Sequence, residues 1–149
     1  RLFGFKKELA RLKLPAPLLF RADASMPPLQ HAPKTILADV PCSGLGTLAR
    51  RPDIKYHRSF EDFAQLSQLQ QRIANALARM LKPCGKLAWL TCTLNPNENE
   101  LQTRAMSTAY GLELEYEFTT SPGSSGSEFF YAALLQKKAE KLLRTSRML

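Results

Sequence analysis

Two cysteines, each placed just after an apolar run, are the residues of this sequence best suited to chemistry. Thr35-Ile36-Leu37-Ala38 leads into Asp39-Val40-Pro41-Cys42, and Leu87-Ala88-Trp89-Leu90 leads into Thr91-Cys92. Both runs read as buried strands, and in an open parallel sheet ligands sit just beyond the carboxyl ends of the strands. Two thiols delivered to neighbouring strand ends would face one pocket. A thiolate is a strong nucleophile. A pair of thiols suits work on one pyrimidine ring, where one adds to the ring and the other assists release of the product. Taken singly, a strand-end cysteine is more often packing than catalysis, because cysteine is among the most buried residue types. The argument therefore rests on the pair. Cys84 falls in a helix-to-strand turn, at the opposite edge, and reads as structural.

The elements that must position these thiols follow from periodicity. Leu2, Phe5, Leu9 and Leu12 mark a helix that Pro15 stops. Leu18-Leu19-Phe20 reads as a short strand ending near Asp23, and Ser25 to Pro33 as a proline-rich loop. After the strand at Thr35, residues 43–58 read as a long connection. Gly44 and Gly46 lie in it, but a basic loop with Pro52 follows rather than a helix start, so they do not read as a phosphate cradle. Ser59 and Asp62 predict a capping box. Phe63, Leu66, Leu69, Ile73, Leu77 and Met80 then mark one face of a long helix, closed by Pro83 and Gly85. Asn95, Pro96 and Glu98 read as cap, first-turn proline and capping acid for a helix that stops at Gly111; Glu98 and Asn99 read as helix-start residues first, with ordering of the pocket as their second role. Leu112 to Phe118 and Phe129 to Leu135 read as an antiparallel pair. Strand–helix alternation of this kind makes an α/β sheet.

The chain of 149 residues is 44% hydrophobic and 23% charged, which gives one domain with a substantial core. It has no run of about 18 apolar residues, so no membrane span is expected. Three cysteines, an odd number, suit a reducing cytosol, hence a cytoplasmic protein. Cys42, Cys84, Cys92, His31 and His57 lack ligand-pair spacing, so no metal is expected. Lys and Arg number 21 against 13 Asp and Glu, a net charge of +8 that favours a polyanionic partner such as nucleic acid. The cations cluster at Lys6–Lys13, at Arg50, Arg51, Lys55 and Arg58, and from Lys137 to Arg147.

The run Asp39-Val40-Pro41-Cys42-Ser43-Gly44, then Arg50-Arg51-Pro52-Asp53, then Thr91-Cys92 with Pro96 and Glu98-Asn99, closely resembles the Fmu/Sun family of RNA cytosine-5 methyltransferases. The similarity continues through Leu81-Lys82-Pro83, with Cys84-Gly85 where the family usually has Gly-Gly, and ends at Phe129-Phe130-Tyr131-Ala132. It covers Asp23 to about Lys138.

The resemblance implies a Rossmann-like class I methyltransferase sheet with helices on both faces, S-adenosylmethionine (SAM) as cofactor, and ribosomal RNA as partner. It implies Cys92 as the nucleophile that adds to C6 of cytosine, and Cys42 as the thiol that assists breakdown of the adduct. Asp39 is implied to touch the ring nitrogen and, with Pro41, to help anchor SAM. Asp23 is implied to recognise the adenine, and Arg50 and Arg51 to contact RNA phosphates. Family members carry the SAM loop and a ribose-binding acid on two strands that would precede Arg1. Residues 1–138 are therefore expected to be the C-terminal part of a catalytic domain without its first two strands, and 139–149 a basic tail. Two other readings stay open: a non-catalytic RNA-binding or assembly module, and a DNA cytosine-5 methyltransferase, in which the Pro-Cys thiol is the nucleophile.

Overall fold

The computed structural model describes residues 2–120 and 128–139. Helix α1 (Leu2–Arg11) is followed by strand β1 (Thr35–Asp39), helix α2 (Ile54–His57), helix α3 (Phe60–Met80), strand β2 (Lys86–Thr91), helix α4 (Glu100–Tyr110), and strands β3 (Leu112–Thr119) and β4 (Tyr131–Lys137). The strands form one sheet in the order β1-β2-β4-β3. β1 and β2 run parallel, whereas β4 is antiparallel to both β2 and β3. That last pairing is the one the short β3–β4 connection predicts. The part of the basic tail from residue 140 onward lies outside the described residues.

Alternation along the strands decides which face is buried. Ile36, Ala38, Leu87, Trp89, Tyr131, Ala133 and Leu135 fall in register on one face. Against them pack Ile73, Ala74, Leu77 and Ala78 of α3 and Met106 of α4. Trp89, Leu87, Ala78 and Leu135 are fully buried there. On the opposite face, where the resemblance implies further helices, Leu37 is 73% exposed. β1 is an edge strand among the described residues.

The ends of α3 follow the chemistry of its sequence. Ser59 Oγ accepts the Asp62 N–H, and Asp62 Oδ2 accepts the Ser59 N–H at 2.7 Å, which closes the expected capping box. Gly111, at φ 62°, ends α4 in the left-handed conformation that glycine adopts without strain. No helix among the described residues is long and apolar enough to cross a membrane.

Two expectations are corrected. Leu18-Leu19-Phe20 is not a strand; Leu18 is 91% exposed. A strand needs a neighbour to take its backbone hydrogen bonds, and the described residues offer this segment none. The second correction concerns α4, which begins at Glu100 rather than near Asn95, with residues 96–99 as a turn. Asn99 occupies the cap position but makes no side-chain cap bond. Glu98 and Asn99 have other partners, described next.

Candidate active site

β1 and β2 lie side by side with Asp39 opposite Leu90. Cys42 and Cys92, each a few residues beyond, therefore emerge together past the carboxyl end of the sheet. Their sulfurs are 3.3 Å apart, and Cys42 Sγ also accepts the Cys92 backbone N–H at 3.3 Å. Both thiols are half-buried.

The loop carrying Cys42 is fastened to the strand end carrying Cys92 through Gly46. Its N–H donates to Cys92 O at 3.0 Å, and its carbonyl accepts the Phe129 N–H at 2.8 Å. A Cβ on residue 46 would lie 2.2 Å from Phe129 O and 2.9 Å from Cys92 O. Only glycine lets the three backbones approach this closely. The Gly44-Leu45-Gly46 stretch is thus a packing device rather than a phosphate cradle.

Beneath the thiols, one buried carboxylate ties the two loops together. Glu98 Oε2 accepts the Ser43 backbone N–H at 2.8 Å and Gln70 Nε2 at 3.0 Å, and Glu98 Oε1 accepts Asn95 Nδ2 at 2.9 Å. Gln70 Nε2 also donates to Pro41 O at 2.8 Å. Ser43 and Thr93 hydroxyls meet at 2.6 Å, and Asn99 holds Thr93 O and the Thr91 hydroxyl. Glu98 and Asn99, expected first as capping residues, act here with Gln70: Gln70 and Glu98 hold Pro41 and Ser43 around Cys42, and Asn99 holds Thr91 and Thr93 around Cys92. Sequence reasoning passed over Gln70. The signal was a glutamine between Leu69 and Ile73, two helical turns before Leu77, and its position is fully buried. A polar residue there needs partners, because an unpaired buried amide is costly.

Charge is divided unequally between the sulfurs. The hydrogen bond from the Cys92 thiol, helped by backbone N–H groups of Cys92 and Gly44, holds the Cys42 thiol down at about 7 against burial and the Glu98 charge. The same bond pushes the Cys92 thiol up, and burial and the charges of Cys42 and Asp39 add to this. Two thiolates in contact cannot both ionise easily, so when the pair carries one charge it lies mainly on Cys42, with the remaining proton mainly on Cys92.

The remaining expected residues divide. Asp39 ends β1, exposed, and its charge is felt at Cys92. Pro41 is at the thiol loop, with its carbonyl turned to Gln70. Asp23 is not brought to the thiols. It closes a turn by accepting the Ser25 N–H and hydroxyl, and it lines a groove with Thr35 and Ile36 at the other end of β1. Those two bonds hold its carboxyl below the usual range. Arg50 pairs with Glu128 at 2.8 Å and Arg51 lies 3.8 Å from Asp53; both guanidinium groups are largely exposed.

A thiolate, a carboxylate and a second thiol at one sheet end make a negative, nucleophilic site. That donor set fits the cationic sulfonium end of SAM. It does not by itself supply an adenine pocket.

Comparison with known proteins places this geometry in context. A family model described as 16S rRNA methyltransferase RsmB/F matches residues 1–136. Ribosomal RNA small subunit methyltransferase B of Proteus mirabilis is 37% identical over 142 residues, covering 93% of this chain and 33% of that protein. The Klebsiella pneumoniae protein of the same name is 40% identical over 113 residues, covering 69% of this chain and 26% of that one. The chain thus spans about a third or less of the length of these curated relatives. Among solved structures, NSun6 from Pyrococcus horikoshii, crystallised with SFG, superposes with a TM-score of 0.81 at 26% identity, covering 92% of this chain and 38% of that one.

Proposed function

Since the chain belongs to the RsmB/F family of 16S rRNA methyltransferases, we propose that it carries the base chemistry for SAM-dependent methylation of cytosine C5 in ribosomal RNA. The observation that carries this reading is the contact of two thiols at neighbouring strand ends, 3.3 Å apart. SFG, found with the Pyrococcus protein, is a SAM analogue. Asp39 and Pro41 are the residues here that would meet the cofactor. Asp23 is left out of the proposed site, because its carboxylate closes its own turn away from the thiols.

Bound SAM would supply the electrophilic methyl carbon. The chain supplies the rest. Cys92 becomes a nucleophile by passing its proton to the Cys42 thiolate, which is in hydrogen-bond contact with it. The Cys92 sulfur then bonds to C6 of cytosine and makes C5 electron-rich. To Asp39, open to solvent, this reading assigns a hydrogen bond to the ring nitrogen, delivering a solvent proton as charge develops there and taking it back as the product is released. Once C5 carries its new substituent, Cys42, having lost the transferred proton to solvent, accepts the C5 proton. The Cys92–C6 bond then breaks and the thiolate leaves. A thiol that titrates near neutrality is suited to both tasks, since it can be base and acid at the same pH.

A second assignment exchanges the two thiols. One observation favours it: the thiol held low is Cys42, not Cys92.

The test of the proposal is label transfer from methyl-labelled SAM to small-subunit rRNA, followed by digestion to nucleosides. The expected product is 5-methylcytidine. Label at any other base or position would overturn the assignment.

A further inference from the structure

Beside the thiol pair lies an open cleft of about 690 Å³, formed where the start of α3 faces the turn after Cys92. We propose that it binds a nucleobase next to the target cytosine in the RNA, an inference that rests on the RNA reading above. Its volume is that of an ordinary small-ligand site, which spans roughly 300–1,000 Å³.

The lining argues for a base and against a phosphate. Phe60 and Phe63 supply aromatic surface and Leu94 aliphatic surface, and Gln71 and Asn97 supply amides that both donate and accept hydrogen bonds; among the described residues no charged side chain lines the cleft. Stacking on an aromatic ring with amide contacts to the base edge is how proteins read unpaired nucleotides. Phe60 is 93% exposed, so its ring is open to a ligand.

Position and charge argue for a neighbour of the target. Leu94 is two residues beyond Cys92, and Leu45, on the opposite wall, is three beyond Cys42. Two or three residues of chain therefore join the cleft wall to each cysteine, a reach of at most about 11 Å between α-carbons. Arg58 immediately precedes the capping serine of α3 and Lys55 lies three residues earlier, so basic residues lead along the chain into the cleft wall, with Glu61 and Asp62 following Phe60 in the first turn. Those basic residues complement a sugar–phosphate chain running past the rim with one base turned in.

The test pairs a protein change with an RNA change. The full chain is titrated, by fluorescence anisotropy, with labelled heptaribonucleotides that hold one cytosine and carry an abasic residue at each flanking position in turn. Phe60→Ala, a change at an exposed site that leaves the fold intact, should weaken binding of intact RNA about ten-fold. An abasic residue at one particular flank should cost wild-type protein a similar factor, and it should cost the variant nothing further. Binding that ignores Phe60, or additive losses at every flank, overturns the cleft proposal and leaves the RNA reading standing. RNA binding unaffected by Phe60→Ala while a self-associated protein becomes monomeric makes the cleft a surface for a second copy instead. No binding of any oligoribonucleotide would remove the RNA reading, and the proposal with it.

Discussion

The Cys42 and Cys92 sulfurs touch at 3.3 Å, although 50 residues separate them in the chain. Parallel pairing of β1 with β2 creates that contact, and Gly46 and Glu98 hold it. Its electrostatic consequence is that ionisation is eased at Cys42 and opposed at Cys92.

Alkylation should reveal this pair directly. In a Cys84→Ser background, the rate of iodoacetamide reaction should rise through a midpoint at about 7, lower than the roughly 8.5 of an unperturbed cysteine. The sign follows from the thiolate being the reactive form, so reactivity is low below the midpoint and level above it. Cys92→Ala removes the thiol donor and should move the Cys42 midpoint upward. Measured rate against pH, with peptide mapping of the label, checks both statements. A midpoint unchanged by Cys92→Ala would mean that the thiols do not interact in solution.

Removing a partner from the buried network should cost stability and disturb the thiols together. Gln70→Ala leaves Pro41 O without its amide donor, and should destabilise the fold by about 1–3 kcal/mol. Glu98→Gln keeps the shape but removes a charge that holds the Cys42 thiol up, so the alkylation midpoint should fall. Thermal melts and the same pH–rate curve measure the two effects. A Glu98→Gln midpoint that rises would contradict the clamp as described.

Much of this was legible in the sequence, for reasons that particular residues make plain. The cap at Ser59, the apolar stripe from Ile73 to Leu77 and the stop at Gly111 are local signals, and each appears where its chemistry requires. The pairing of Cys42 with Cys92 was legible from two similar strand ends. For Glu98 and Asn99 capping ranks ahead of pocket ordering in the sequence, because an acid and an amide before a helix usually do cap it. Here tertiary partners, Ser43, Gln70 and Thr93, take those side chains instead. Gly46 could not be read locally, since its need for no side chain comes from Phe129, far along the chain. The segment at Leu18 has strand-like residues, but strand formation depends on a neighbour that local sequence does not reveal.

Arg50 and Arg51 should tune affinity rather than choice of base. Both are exposed, and Arg50 is partly neutralised by Glu128. Replacing both with alanine should weaken RNA binding and reduce the slope of log affinity against log salt by about one to two. Melting should hardly change, since exposed ion pairs contribute little. An unchanged slope with unchanged melting would mean that these arginines do not touch RNA.

The most direct measurement of the central claim is a denaturing gel of each cysteine variant after incubation with RNA and SAM. The account predicts that Cys42→Ala accumulates a covalent protein–RNA complex: loss of Cys42 also removes the contact and charge that hold the Cys92 thiol up, so Cys92 can ionise to solvent and attack, while release, which needs Cys42, is slowed. It predicts that Cys92→Ala forms none and transfers no methyl group. A covalent complex in Cys92→Ala and none in Cys42→Ala would contradict it, and would assign the nucleophile to Cys42.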